Sequence, residues 1–219
     1  MYIESLVLQN FQCFGDQRTV IVLDPGLTPF IGSNGAGKTA TCHALQRLFG
    51  ITTDDRTVRI DDFHVPAGET EAPQSRTLVI EAVLAFPELD DGDDDEGKDA
   101  VPQFFHRMAA DDQGSLKCRI VLEATWEADG TIDGDLSAKL WIVHTFDETY
   151  SDDDRTALPG AERARIQMIY VPASRDGARQ VTAFLRGRLW RAAQWSEELC
   201  ELVKRRPRER QPGSCYAHR

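Results

Sequence analysis

The chain has 219 residues, of which 41% are hydrophobic and 28% charged, and its formal net charge is −11. This composition is typical of a globular protein with a core and excludes a disordered or fibrous chain. The sequence has no apolar run of the roughly 20 residues that cross a bilayer, and its N-terminus lacks the basic flank of a signal peptide. Five scattered cysteines form no CxxC pair, which argues against a zinc site or a disulfide framework. We therefore expect a cytoplasmic protein without a membrane partner.

The charge is distributed unevenly along the chain. Residues 1–174 contain 14 Lys and Arg against 31 Asp and Glu, whereas residues 175–219 contain 11 against 5. A chain this acidic is not, taken whole, a nucleic-acid binder. The basic C-terminal region is either a local binding face or a solvated helix face.

The first fifty residues predict three strands, a phosphate loop and a helix. Residues 2–9 alternate and predict a strand, and a second strand is predicted from Thr19 to Leu23. The apolar run from Leu27 to Ile31 predicts a third strand that leads directly into a glycine-rich loop. Beyond the loop, apolar residues at helical spacing predict a helix over residues 39–49, with Gly50 at its C-cap.

The middle of the chain is predicted to be rich in β-structure. Residues 78–86 form one β-rich stretch, and residues 118–128 and 138–147 predict an antiparallel hairpin with a long turn. Between them, residues 88–99 form an acidic low-complexity segment. Because so many like charges repel each other and bury no apolar surface, we expect a disordered surface loop there.

The C-terminal third predicts fewer elements. Residues 166–171 predict a short buried strand, and residues 181–203 an amphipathic helix. Residues 204–219 show no periodicity and are expected to be disordered. The predicted organisation is thus one α/β lobe over residues 1–203, with an antiparallel β portion and a C-terminal helix, followed by a tail.

The glycine-rich loop carries the clearest chemical signal. Gly32-x4-Gly37-Lys38-Thr39 matches the P-loop pattern, between a predicted strand and a predicted helix. Triphosphate oxygens must be met by several backbone N–H groups, and glycines allow that close approach. Lys38 would reach the β- and γ-phosphates, and the Thr39 hydroxyl would be a Mg²⁺ ligand. The predicted ATP-binding residues are Gly32, Ser33, Asn34, Gly35, Ala36, Gly37, Lys38, Thr39 and Ala40, with ATP and Mg²⁺ as cofactors.

Two segments extend this signal to a known family. The run Ile3-x-Ser5-Leu6-x-Leu8-x-Asn10-Phe11-x-x-Phe14, followed by the P-loop, resembles the ABC-type ATPase heads of the SMC and RecF group. The later run Ile169-Tyr-Val-Pro-Ala-Ser-Arg-Asp176 resembles the N-terminal ATPase domain of OLD-family (overcoming lysogenization defect) ATP-dependent endonucleases. The resemblance implies a P-loop NTPase lobe that acts in DNA repair or phage defence.

The resemblance also implies partners, and this sequence lacks several motifs of the family. Heads of this kind pair in the ATP state, and OLD proteins cut DNA with a C-terminal Toprim domain. This sequence has no LSGG-like signature, no Toprim segment and no convincing Walker B, so it reads as truncated relative to the family. We therefore expect a homodimer or a larger nuclease partner, DNA contact only through the complete assembly, and ATP binding with little or no hydrolysis.

One candidate for the catalytic Walker B motif remains open. The run from Leu140 ends in Asp147-Glu148, which would supply a Mg²⁺-orienting Asp and a catalytic Glu. The same run alternates as a partner of residues 118–128, which favours a hairpin. Residues 61–64, Asp-Asp-Phe-His, either bring a carboxylate towards Mg²⁺ through water or form a surface turn; the turn is the expected reading.

Other residues have a structural interpretation beside a functional one. His43 is expected to be a packed or exposed helix residue rather than a catalyst. Arg175 and Asp176 either have a nucleotide-facing or dimer-facing role or form an internal ion pair. Trp190 and Trp195 are more typical of core or interface anchors than of base stacking.

Two alternative functions differ from that of an ATPase lobe in DNA processing. One is a non-catalytic, nucleotide-dependent interaction module that regulates or pairs with a larger nuclease or ATPase. The other is a stand-alone P-loop enzyme such as a small-molecule kinase, against which the SMC-like strands before the P-loop argue.

Overall fold

A computed structural model describes residues 1–71, 73–87, 109–110, 115–131 and 133–171. These residues contain seven strands, three helices and two short 3₁₀ turns. The strands are β1 (Tyr2–Gln9), β2 (Thr19–Val22), β3 (Ser75–Ala85), β4 (Ala109–Ala110), β5 (Leu116–Glu127), β6 (Asp135–Val143) and β7 (Arg155–Ala157). The helices are α1 (Lys38–Phe49), α2 (Thr53–Arg56) and α3 (Gly160–Arg163), and the 3₁₀ turns are Ile60–Asp62 and Asp152–Asp154.

The described strands form one antiparallel sheet. Its order is β2-β1-β3-β5-β6-β7, with β4 paired to the end of β5. The longest pairing joins β3 and β5, where Ser75 lies opposite Glu127 and Ala85 opposite Lys117. The hairpin of β5 and β6 is in register from Arg119–Val143 to Glu127–Asp135. The predicted α/β class with an antiparallel β portion is therefore confirmed.

Alternation along each strand separates the two faces of the sheet. On β3, Leu78, Ile80 and Leu84 are buried in the hydrophobic core, whereas Glu81 belongs to the opposite face. The same alternation on β5 places Ile120 in the core and Arg119 opposite. On that second face Arg119 and Glu81 form a buried ion pair, with Arg119 Nε 2.9 Å from Glu81 Oε1.

Helix α1 packs on the core face. Ala40, Ala44 and Leu48 recur at the spacing of one helix face and are 6% exposed or less, and Phe49 closes the helix. Gly50 is the C-cap, as predicted, and its N–H donates to the carbonyl of Gln46. The core thus fixes the helix whose N-terminus follows the glycine-rich loop.

Two predicted strands are wrong. Residues 27–31 form no strand, and Leu27 and Ile31 are 79% and 93% exposed. A strand needs a neighbour for its backbone groups, and no described strand pairs with this run. Residues 166–171 make a single parallel bridge, from Met168 to Gly50, so their alternation produces an irregular segment packed against the core on one side only.

Several predicted features lie outside the described residues. They are the acidic segment 88–99, the helix 181–203, the tail 204–219, and the residues Arg175, Asp176, Trp190 and Trp195. None of the helices in the described ranges is long and apolar enough to span a bilayer.

Candidate functional site

The loop before α1 has the backbone shape that its glycines allow. Gly35 and Gly37 adopt φ of +83° and +87°, in the left-handed region where other residues are strained. A methyl group at Gly37 would lie 2.7 Å from Cζ of Phe14 and 3.3 Å from Sγ of Cys13, whereas one at Gly35 would meet nothing within 4 Å. A glycine is therefore required at position 37 for two reasons, the left-handed backbone angle and the close approach of Phe14.

The N-terminus of α1 is open towards this loop. Gly37 is the N-cap; no described side chain caps the helix, and its first turn contains no acidic residue. The first N–H groups of a helix have no partner within it, and they carry a partial positive charge that favours anions. The structure therefore leaves this helix end available to an anionic ligand such as a phosphate.

Lys38 and Thr39 differ in what they contact. The ammonium of Lys38 donates to the carbonyls of Gly32 and Ser33, at 2.7 Å each, and so closes the loop on itself. The side chain of Thr39 is exposed, and its hydroxyl has no hydrogen-bond partner among the described residues. By contrast, the hydroxyl of Thr41 donates to the carbonyl of Gly37. Thr39 is thus the hydroxyl that can bind a ligand.

The predicted loop residues surround a cavity. Its volume is about 270 Å³, and it is lined by Gln12, Cys13, Asn34, Gly35, Ala36, Gly37, Lys38, Thr39 and Ala40. Seven of the nine predicted ATP-binding residues are therefore brought together, while Gly32 and Ser33 contact the cavity lysine through their carbonyls. None of these lining residues is a carboxylate.

The residues present fit a Mg²⁺ ion that arrives with a triphosphate. No described group of three or more His, Cys, Asp and Glu could hold a metal by itself. Mg²⁺ is commonly held by one or two protein oxygens together with substrate phosphates. The free hydroxyl of Thr39 in the first turn of α1 is such an oxygen.

Residues 61–64 match the expected surface turn only in part, because Asp61 is exposed in the 3₁₀ turn Ile60–Asp62 whereas the next two residues are buried. Asp62 is 1% exposed and Phe63 3%. The carboxylate of Asp62 accepts from Nε of Arg47 at 2.6 Å, from the backbone N–H of Arg59 at 2.9 Å and from Nε2 of Gln12 at 3.1 Å. This burial was not evident in the sequence because the partners of Asp62 are distant along the chain. Asp62 ties α1 to the turn that follows β1.

His43 is a partly buried residue of α1, in agreement with the expected structural role. Its Nδ1 lies 3.4 Å from Nε2 of Gln12, and its ring meets that of Tyr170 edge to face at 5.6 Å. Burial lowers the pKa of His43 below its ordinary value, and the charge of Arg47 lowers it further, against an opposing contribution from Asp62. The neutral ring is therefore favoured.

The structure does not bring Asp147 and Glu148 to the loop cavity. The strand before them is β6, paired antiparallel with β5, which supports the hairpin interpretation of this run. The backbone carbonyl of Asp147 accepts from Nη1 of Arg119 at 2.9 Å. Glu148 lines a second cavity of about 380 Å³, together with Arg119 and Tyr150.

Sequence reasoning did not single out Gln12 and Cys13 as cavity residues. Both lie between Phe11 and Phe14, two residues on which the resemblance to SMC and RecF heads rests. That motif was the available signal, because it contains both residues. Neither side chain type by itself indicates a nucleotide site.

Comparison with known families gives one match that covers most of the chain. A family model described as "AAA ATPase domain" matches residues 1–186. Among curated proteins, none matches the chain significantly.

Several solved structures match the chain at low identity and with TM-scores below 0.5. One, from work on ATP-driven dimerization and DNA-stimulated activation of SMC ATPases, is 18% identical with a TM-score of 0.44, covering 93% of this chain and 99% of that one. An Smc head bound to the C-winged helix domain of ScpA is 19% identical with a TM-score of 0.41, covering 76% and 40%. An Smc head with an extended coiled coil, bound to the C-terminal domain of ScpA and derived from Pyrococcus furiosus, is 20% identical with a TM-score of 0.39, covering 75% and 32%. The chain thus spans less than half the length of the latter two.

Proposed function

Because the chain belongs to the AAA ATPase domain family, we propose that it binds ATP with Mg²⁺ through the loop of residues 32–40. The observation that carries the proposal is the uncapped N-terminus of α1, which follows the left-handed Gly35 and Gly37 and opens into a cavity with Lys38. Backbone N–H groups, the helix dipole and an ammonium together attract a polyphosphate. Thr39 would hold the Mg²⁺ ion that the triphosphate brings, and that ion would neutralise phosphate charge.

The finer proposal is that the chain is the ATP-binding part of an OLD- or RecF-like ATPase in DNA repair or phage defence. It is supported by the motif resemblances at residues 3–14 and 169–176, which both lie within the matched region. The same resemblances support nucleotide-dependent pairing with a second copy or with a larger nuclease. DNA would then be contacted by the complete assembly.

We expect the chain alone to hydrolyse ATP slowly or not at all. The lining of the described cavity contains no carboxylate to activate water. Asp62 reaches this lining only through Gln12, and its two oxygens already accept four hydrogen bonds, from Gln12, Arg47 and Arg59. Such a saturated carboxylate is not free to take a proton from water.

The test combines binding, turnover and mass. We expect ATP binding by the purified chain that is weakened in Lys38→Ala, with phosphate release near background, with or without DNA. Light scattering with and without ATP measures pairing. Fast turnover that Lys38→Ala abolishes would contradict the expected lack of hydrolysis, and nucleotide binding indifferent to Lys38→Ala would contradict the P-loop assignment.

A second candidate is a nucleotide-dependent interaction module without catalysis. The observation that favours it is the exposed apolar run of residues 27–31, which directly precedes the phosphate loop. A partner that covers this run would contact the segment leading into the nucleotide site. ATP-dependent pairing that is lost in Ile31→Ser with ATP affinity retained, and that brings no phosphate release in the paired state, would support this function over that of an ATPase.

A further inference from the structure

Gln12 is held in a backbone conformation that its side chain type avoids. Its φ is +49°, in the left-handed region, where a residue with a Cβ is destabilised by about 1–2 kcal/mol. Such strain persists only where the surroundings enforce it, and it concentrates at ligand sites. At Gln12 the strain coincides with a position in the lining of the loop cavity.

Residues 60–64 enforce this conformation. The N–H of Gln12 donates to the carbonyl of Asp62 at 2.8 Å, and the carbonyl of Gln12 accepts from Nδ1 of His64 at 2.7 Å. The N–H of His64 donates to the carbonyl of Asn10 at 2.9 Å. Both backbone groups of Gln12 are thus fixed before any ligand binds.

The amide nitrogen of Gln12 lies within hydrogen-bond distance of two protein atoms. Nε2 lies 3.1 Å from Oδ1 of Asp62 and 3.4 Å from Nδ1 of His43. The carboxylate of Asp62 can only accept, so the amide nitrogen must face it, and a neutral His43 can accept through Nδ1. The side chain therefore has only its carbonyl oxygen, Oε1, to offer to the cavity, and that oxygen can accept but not donate.

Asp62 is fixed independently of Gln12. Its second oxygen accepts from Nε of Arg47 and from the backbone N–H of Arg59, and Nη2 of Arg47 lies 3.3 Å from its first oxygen. The charge of Asp62 is thereby paired in the interior. A rigid, paired carboxylate of this kind sets which way the amide of Gln12 points.

The place of Gln12 beside α1 identifies the part of the ligand that its side chain contacts. Its amide contacts His43, which is one helical turn after Thr39 on the same helix face. Gln12 therefore lies on the Thr39 side of the cavity. A carbonyl oxygen there repels bare phosphate oxygens and attracts a hydrogen-bond donor, and water on a Mg²⁺ ion held by Thr39 would be such a donor.

We infer that Gln12 recognises the metal-bound form of the nucleotide, through a hydrogen bond from metal-bound water to Oε1, and that Asp62 is its positioning residue. This inference rests on the proposed P-loop function. It predicts selectivity for MgATP over metal-free ATP that depends on the turn after β1. Lys38, by contrast, binds the triphosphate in both forms.

The test compares ATP affinity in excess Mg²⁺ with affinity in excess chelator, by equilibrium titration of the purified chain. In Gln12→Gly we expect MgATP to bind about fivefold more weakly, the effect of one hydrogen bond, while metal-free ATP binds as in the wild type. Glycine adopts φ of +49° without strain, so this variant retains the fold. Gln12→Met tests the side chain separately, and Gln9→Met, at a glutamine whose amide donates to the Asp16 carbonyl outside the cavity, is its matched control.

Asp62→Asn tests the positioning role. It removes the charge that orients the amide of Gln12 and is expected to lower the ratio of the two affinities as Gln12→Gly does, without a further loss when both changes are combined. Equal losses of MgATP and metal-free ATP in Gln12→Gly, or no loss in either, would overturn the inference. Failure of the P-loop function itself is recognised separately, because Lys38→Ala would then leave both affinities unchanged.

Discussion

The side-chain nitrogen of Gln12 lies 3.1 Å from Oδ1 of Asp62, although fifty residues separate them. Asp62 in turn accepts from Nε of Arg47, on the helix that begins at the phosphate loop. Three segments that are distant in sequence are therefore joined around one buried carboxylate. The turn after β1, the 3₁₀ turn Ile60–Asp62 and α1 are linked by this connection.

Removing the carboxylate of Asp62 is expected to destabilise the chain strongly. Asp62→Ala leaves Arg47, only 12% exposed, without its partner, and such a loss costs about 3–5 kcal/mol. The matched control is Asp54→Ala, which breaks the exposed pair with Arg59 and is expected to cost less than about 1 kcal/mol. Urea unfolding measures both. Equal effects of the two changes would contradict the role given to Asp62.

The two left-handed glycines of the loop are expected to differ. Gly35→Ala introduces only backbone strain, about 1–2 kcal/mol, because the space around it is open. Gly37→Ala adds a methyl group 2.7 Å from Cζ of Phe14 and is expected to cost about 1–3 kcal/mol more. Unfolding of the nucleotide-free protein measures both costs. If Phe14 is first changed to Ala, the additional cost of Gly37→Ala should disappear.

His43 is expected to couple stability to pH. Burial, with Arg47, holds the pKa of His43 below its ordinary value of 6.5, so the unfolded chain binds the proton more readily than the folded one. The contribution to stability is complete above pH 6.5 and is lost as the pH falls below it. The free energy of unfolding of the wild type should therefore fall relative to that of His43→Gln on acidification. A constant difference between the two proteins would refute this.

The exposed run before the loop is expected to contribute little to the stability of the isolated chain. Ile31 is 93% exposed, so Ile31→Ser should change the free energy of unfolding by no more than about 0.5 kcal/mol. Leu48, fully buried on α1, is the comparison, and Leu48→Ala should cost about 2–5 kcal/mol. A large cost at Ile31 would show that residues 27–31 are packed after all.

The sequence predicted those elements whose evidence is local. The alternation of β1, β3 and the hairpin of β5 and β6, and the helical spacing of α1, each follow from side chains within a few residues. The run from Leu27 to Ile31 was wrongly predicted as a strand because its apolar residues say nothing about whether a neighbouring strand pairs with it.

The candidate site likewise contains residues that local sequence evidence identified and residues that it did not. Residues 34–40 were identified by a contiguous motif and line the cavity together. Gln12 was not identified, and Asp62 was considered only as a carboxylate near Mg²⁺ or in a surface turn, because the strain of one and the burial of the other depend on contacts across 50 residues. The acidic pair Asp61-Asp62 is typical of an exposed turn; Asp61 is exposed as expected, whereas the contact with Arg47 buries Asp62.

Lys38 and the loop around it are proposed to bind the triphosphate of ATP. The most direct measurement is an equilibrium titration of the purified chain with MgATP, beside Lys38→Ala and the control Lys139→Ala, which removes an exposed lysine of β6 outside the cavity. We predict that Lys38→Ala weakens binding by about tenfold to a hundredfold, the effect of lost charge-assisted hydrogen bonds, while Lys139→Ala changes it less than about twofold. Equal affinities of the wild type and Lys38→Ala, or no binding by the wild type, would contradict the claim.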